Sequence, residues 1–99
     1  MNFFNTSTPP KGQEVLTTLL QHQNVTINRI VSNALEEGVW YDQDEDEWLL
    51  LLEGTARLEV DGDEKRLEKG DMLFIEAHTK HQLLGTSADA LWLTVHITS

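Results

Sequence analysis

Two ionisable residues sit at fixed distances from glycines. Glu47 is followed by six residues and then Gly54, and ten residues separate Gly70 from His81. A carboxylate and an imidazole brought together in a folded interior can form a hydrogen-bonded pair, hold a metal or exchange a proton. A carboxylate buried alone is costly, so it requires a metal, a cation or hydrogen-bond donors. Alternate residues of a strand share a face. Tyr41, Gln43, Glu45, Glu47, Leu49 and Leu51 therefore line one face unless a bulge intervenes. The Gln43 side-chain oxygen is an acceptable ligand for a hard cation, or a pocket hydrogen-bonder.

Other polar residues have blander readings beside the sharper ones. His96 lies between Val95 and Ile97, either as a satisfied core histidine or as a pocket residue near His81. His78 is expected in an exposed loop rather than facing a pocket, and His22 on the surface. Five carboxylates crowd residues 42–47. Asp42, Asp44 and Asp46 are expected to form a solvated rim, because the EF-hand pattern with its central glycine is absent. Trp40, Trp48 and Trp92 are expected to fill the core or a subunit interface. Arg29 shares a strand face with Val25 and Ile27, so it either serves as a pocket cation or bends outward.

Short apolar segments between turn signals must position these groups. Residues 25–32 alternate with a strand's period. Residues 47–53 are apolar on both faces, and residues 72–75 form a second buried run. Residues 55–60 alternate cleanly and meet Asp61-Gly62, a strong hairpin turn. Lys69-Gly70-Asp71 turns again, Leu83 and Leu84 mark a further strand, and residues 90–97 form the last. Residues 14–21 suit two turns of helix or a strand, since their threonines favour the latter. About eight strands separated by frequent turns predict an all-β sandwich or barrel.

The whole chain is 99 residues, enough for one domain. Residues 1–13 read as an N-terminal arm and 14–99 as the single barrel domain. Phe3 and Phe4 suggest an arm that packs on its own or a neighbouring subunit, against the alternative of a disordered end. The formal net charge of −10 is the wrong sign for nucleic acid or an anionic membrane. With no cysteine, disulfides and thiol chemistry are excluded. No apolar run is long enough to span a bilayer and no secretion signal is visible, so the expected location is cytoplasmic.

The segments 38–54 and 70–81 together resemble the two motifs of the cupin superfamily, small jelly-roll barrels with a double-stranded β-helix. The resemblance covers residues 38–85. Glu47 and Gly54 stand where the first motif has its glutamate and closing glycine, and His81 stands at the histidine of the second. Counting back from Glu47 puts the two histidines of the first motif on Tyr41 and Gln43; counting forward from Gly38 puts them on Asp44 and Asp46. The Glu47 count rests on one continuous strand and is preferred. In the second motif Glu76, His78 and Gly85 replace proline, glycine and asparagine. The resemblance implies a small single-domain cupin with a degenerate metal motif. It also implies that the Glu47 face looks into the barrel. The implied pocket comprises Tyr41, Gln43, Glu47, His81 and His96, with a weak divalent-metal site at Gln43, Glu47 and His81 and no organic cofactor.

Three functions follow from this reading: a small-molecule binding barrel, a metal-dependent isomerase, lyase or dioxygenase, and an acidic protein-interaction module. Only Glu47 and His81 are good ligands at motif positions, which weighs against the second. A homodimer is expected, because Trp48, Leu50 and Leu52 are apolar on the face turned away from the pocket.

Overall fold

The computed structural model of the chain describes residues 1–36, 38 and 40–99. Those residues form nine strands: β1 (Glu14–His22), β2 (Val25–Ser32), β3 (Trp40–Tyr41), β4 (Asp46–Glu53), β5 (Ala56–Val60), β6 (Asp63–Leu67), β7 (Met72–Ile75), β8 (His81–Thr86) and β9 (Ala90–Ile97). They build a five-stranded sheet, β1-β2-β9-β4-β7, and a four-stranded sheet, β3-β8-β5-β6. All their pairings are antiparallel. There is no helix among the described residues, and hence no helix long and apolar enough to cross a membrane.

The ambiguous segment at residues 14–21 is strand. It pairs with β2 from Glu14↔Ser32 to His22↔Val25, with one bulge between Thr18 and Leu20. A partner strand settles what local propensity leaves open. Asp61 and Gly62 both have positive φ, 50° and 87°, and close the β5–β6 hairpin between Val60 and Asp63. That is the backbone of a two-residue type I′ turn. Gly54 has φ 87°, and a Cβ there would stand 2.6 Å from Ser87 Oγ and 3.0 Å from Ala90 Cα. The glycine that ends the Glu47 segment is thus fixed by both conformation and space.

The two sheets enclose Leu49, Leu51, Ala56, Leu58, Leu67, Ile75, Ala90 and Trp92. On β4 the inward Glu47, Leu49 and Leu51 are buried, whereas Trp48, Leu50 and Leu52 on the outer face are only half-buried. The expectation of a strand buried on both faces is corrected to that extent. The run at 72–75 is corrected further. β7 is an edge strand, and Met72 and Phe74 are 61% and 52% exposed opposite Leu50 and Trp48.

Arg29 faces outward and is no pocket cation. It pairs in register with Thr17 and Leu93 on the outer face. Its Nη1 donates to the Phe3 carbonyl at 3.0 Å, and the residue is buried there. The arm is tied down elsewhere too. Asn33 Nδ2 donates to the Pro9 carbonyl at 2.9 Å, and Thr8 Oγ1 donates to Asp89 Oδ1 at 2.9 Å.

Candidate ligand pocket

Strand register assembles the site. In the larger sheet Glu47 of β4 stands opposite His96 of β9, and in the smaller sheet Tyr41 of β3 stands opposite His81 of β8. The sheets face each other, so the two pairs meet across the interior. They border a cavity of about 180 Å³. Tyr41, Gln43, Glu47, His81, Thr94 and His96 form its polar end. Ile30, Leu49, Leu58, Leu83 and Trp92 line its apolar end, with Glu14 and Leu16 of β1 completing the wall. All five residues expected in the pocket therefore border one cavity.

Glu47 is the hub. Gln43 Nε2 donates to its Oε1 at 3.0 Å. His81 Nε2 lies 3.8 Å from the same oxygen, and His96 Nε2 lies 3.8 Å from Oε2. Both gaps are too long for a hydrogen bond but short enough for strong electrostatic coupling. The His81 side chain is only 6% exposed. Its Nδ1 lies 2.9 Å from the Thr79 carbonyl, which can only accept, so Nδ1 carries the hydrogen. Nε2 is then the ring nitrogen that faces the cavity. His96 Nε2 lies 3.2 Å from Thr94 Oγ1. Its Nδ1 is 2.8 Å from Glu45 Oε1, yet off the direction of a proper hydrogen bond, so this contact is an ion-pair approach only.

Tyr41 stacks on His81 with ring centroids 5.5 Å apart and planes 25° from parallel. Burial pushes the Tyr41 phenol above its usual 10, and the negative charges of Glu14 and Glu47 push it the same way. The hydroxyl therefore stays a neutral donor and acceptor. The loops are fixed by the backbone. His78 N donates to the Gln43 carbonyl at 2.8 Å, and Ala77 N donates to Asp46 Oδ1 at 2.8 Å. His78 itself points to solvent beside Asp42 and Asp44, at 3.5 and 3.9 Å.

The metal set expected at Gln43, Glu47 and His81 does not assemble. Gln43 turns its amide N–H, not its oxygen, to Glu47. That leaves Glu47 and His81 as the only good ligands of the expected set, one short of a three-ligand site. No cluster of three metal-ligating side chains occurs among the described residues. The residues present do not fit a resident metal.

Residues 30–96 match the Cupin domain family. The chain belongs to the cupin superfamily. Its all-β barrel is the fold of that family, and the cupin fold recurs in solved structures. One, a provisionally assigned mannose-6-phosphate isomerase from Ralstonia eutropha JMP134, is 32% identical with a TM-score of 0.89. The alignment covers 100% of this cupin and 97% of that chain. KdgF from Halomonas sp. is 15% identical with a TM-score of 0.84, over 100% and 91% of the two chains. An RmlC-like cupin from Shewanella frigidimarina NCIMB 400 is 18% identical with a TM-score of 0.79, over 93% and 82%. No curated protein matches the chain.

Sequence reasoning passed over part of this cupin's pocket. Trp92 and Thr94 lie four and two residues before His96 on β9, so the strand's period alone points them into the same cavity. Glu14 and Leu16 were hidden by the helix-or-strand ambiguity of their segment.

Proposed function

We propose that this cupin binds a small organic molecule in the barrel cavity without a resident metal, at Tyr41, Gln43, Glu47, His81 and His96. The observation that carries the reading is His81. It is nine-tenths buried, held by Thr79, and aims an Nε2 with no hydrogen-bond partner among the described residues into a cavity that also receives Glu47. Such groups are costly to keep dry unless something fills the space. A thermal-shift screen of small metabolites tests this. Compounds that stabilise the wild type are expected to lose their effect in Glu47→Ala and His81→Ala. Compounds that stabilise both variants as well as the wild type would place the ligand elsewhere.

The activity named for the Ralstonia protein does not carry over. A sugar phosphate needs cationic partners, and no Lys or Arg lines the cavity among the described residues. A second reading, proton-transfer catalysis, is favoured by one feature: Glu47 stands 3.8 Å from an imidazole on each side. That arrangement could pass a proton between faces of a bound substrate. Exchange of a ligand's carbon-bound hydrogen with heavy water, lost in Glu47→Gln, would identify it.

The reading includes a homodimer. Met72 and Phe74 are exposed beside half-buried Trp48 and Leu50, a patch that a second copy would cover. Sedimentation is expected to give a dimer for the wild type and a monomer for Phe74→Glu; a wild-type monomer at micromolar concentration would contradict it.

A further inference from the structure

The cavity has a charge character beyond its position. Two carboxylates, Glu14 and Glu47, belong to its lining, and Glu45 stands behind His96 at 2.8 Å. All seven basic side chains of the protein lie elsewhere. Arg29 is under the arm at the Phe3 carbonyl. Arg57 and Arg66 both pair with Glu64 on the smaller sheet. Lys69 pairs with Glu53, and Lys80 sits over the Trp40 ring. Lys11 and Lys65 are exposed.

The hydrogen-bonding character agrees. Among the described residues Glu47 Oε2 accepts no hydrogen bond, and in its uncharged form the His81 ring offers an Nε2 lone pair. Both are acceptors that call for a donor from the ligand. The Gln43 amide gives one of its two N–H groups to Glu47 Oε1. His81 is the independent sign that something binds here, because its side chain is only 6% exposed and its cavity-facing Nε2 has no hydrogen-bond partner among the described residues. An anion would place its charge beside Glu47 with no cation to offset it. An ammonium group would meet acceptors, two aromatic side chains in Tyr41 and Trp92, and the field of a protein of net charge −10. The apolar end requires a hydrocarbon body. A cavity of about 180 Å³ takes about one six-membered ring with a polar substituent, since cavities near 150 Å³ accept benzene.

We infer that the barrel cavity is selective for small organic cations, a protonated amine on a compact apolar body, with Glu47 and the His81 Nε2 receiving the ammonium hydrogens. This rests on the cavity being the ligand site.

Cyclohexylammonium, cyclohexanol and cyclohexanecarboxylate have one shape and three charges. Histidine-ring NMR can follow each, because the chain has only four histidines and only His81 and His96 border the cavity. Cyclohexylammonium is expected to shift both ring signals and to bind about tenfold or more tighter than cyclohexanol, with no shift from the carboxylate. Glu47→Gln keeps the side chain's shape and is expected to remove the preference of amine over alcohol. Glu14→Gln, at the exposed wall, is expected to reduce it less. If the alcohol or carboxylate shifts His81 and His96 and the amine does not, the cavity stands as the site and the charge selectivity is overturned. Unchanged amine affinity in Glu47→Gln would overturn the selectivity in the same way. If none of the three probes moves either ring in the wild type, both the selectivity and the cavity reading are overturned.

Discussion

The interior of the barrel has two ends built from the same strands. Inward along β4 the residues run Leu51, Leu49, Glu47, and along β9 they run Ala90, Trp92, Thr94, His96. On β8 they run Gly85, Leu83, His81. At one end Leu51, Ala56 and Ala90 pack beside the fully buried Ser32, whose hydroxyl donates to Glu14, and Leu51 and Ala90 have no exposure at all. At the other, carboxylate, imidazole, amide and phenol groups face a cavity. Close packing of hydrocarbon gives the first end its stability. The second end keeps polar groups short of partners, a form of strain that folds tolerate where they bind something. Stability and binding should therefore separate by end.

The largest effect is expected at the closed end. Leu51→Ala removes a fully buried side chain and should lower the free energy of unfolding by about 3–4 kcal/mol, read from urea denaturation. The ligands of the wild type should still bind while the variant is folded. Glu47→Leu should do the reverse. Glu47 holds one hydrogen bond, from Gln43, and its imidazole neighbours stand 3.8 Å away, so relief of its desolvation offsets the lost bond and a change within about 1 kcal/mol is expected. Ligand binding should be lost. A loss of several kcal/mol in Glu47→Leu would mean that the polar end also supports the fold.

The smallest effect is spectroscopic. Tyr41 is the sole tyrosine, so absorbance at alkaline pH reports it alone. Burial first, then Glu14 and Glu47, raises its pKa above 10. The folded state thus holds a proton that the unfolded state has released once pH passes the ordinary value. Stability from this group is full below pH 10 and falls as pH rises through the folded value. The titration should shift down in Glu47→Gln and reach the free phenol's midpoint on unfolding.

Much of the architecture was legible because its signals are local. Asp61-Gly62 requires the turn it makes, and alternation over residues 55–60 requires two unlike faces. The spacing from Glu47 to Gly54 and from Gly70 to His81 placed one residue on each sheet, and the family frame brought them together. What escaped depended on distant partners. Residues 14–21 pair as a strand with β2, and Met72 and Phe74 are exposed because they lie on the outer face of an edge strand. Arg29 faced outward because its register partners, Thr17 and Leu93, do. The expected metal set was misjudged at Gln43, whose side-chain direction spacing does not specify: it presents its N–H to Glu47.

The central claim is a ligand-binding cupin cavity with no resident metal. Elemental analysis of protein purified without an affinity tag, after expression with added zinc, manganese and iron, tests it most directly. The account predicts less than about a tenth of a metal ion per chain, equal in wild type, Glu47→Ala and His81→Ala, since a site of two good ligands is weak. About one ion per chain in the wild type, lost in both variants, would contradict it.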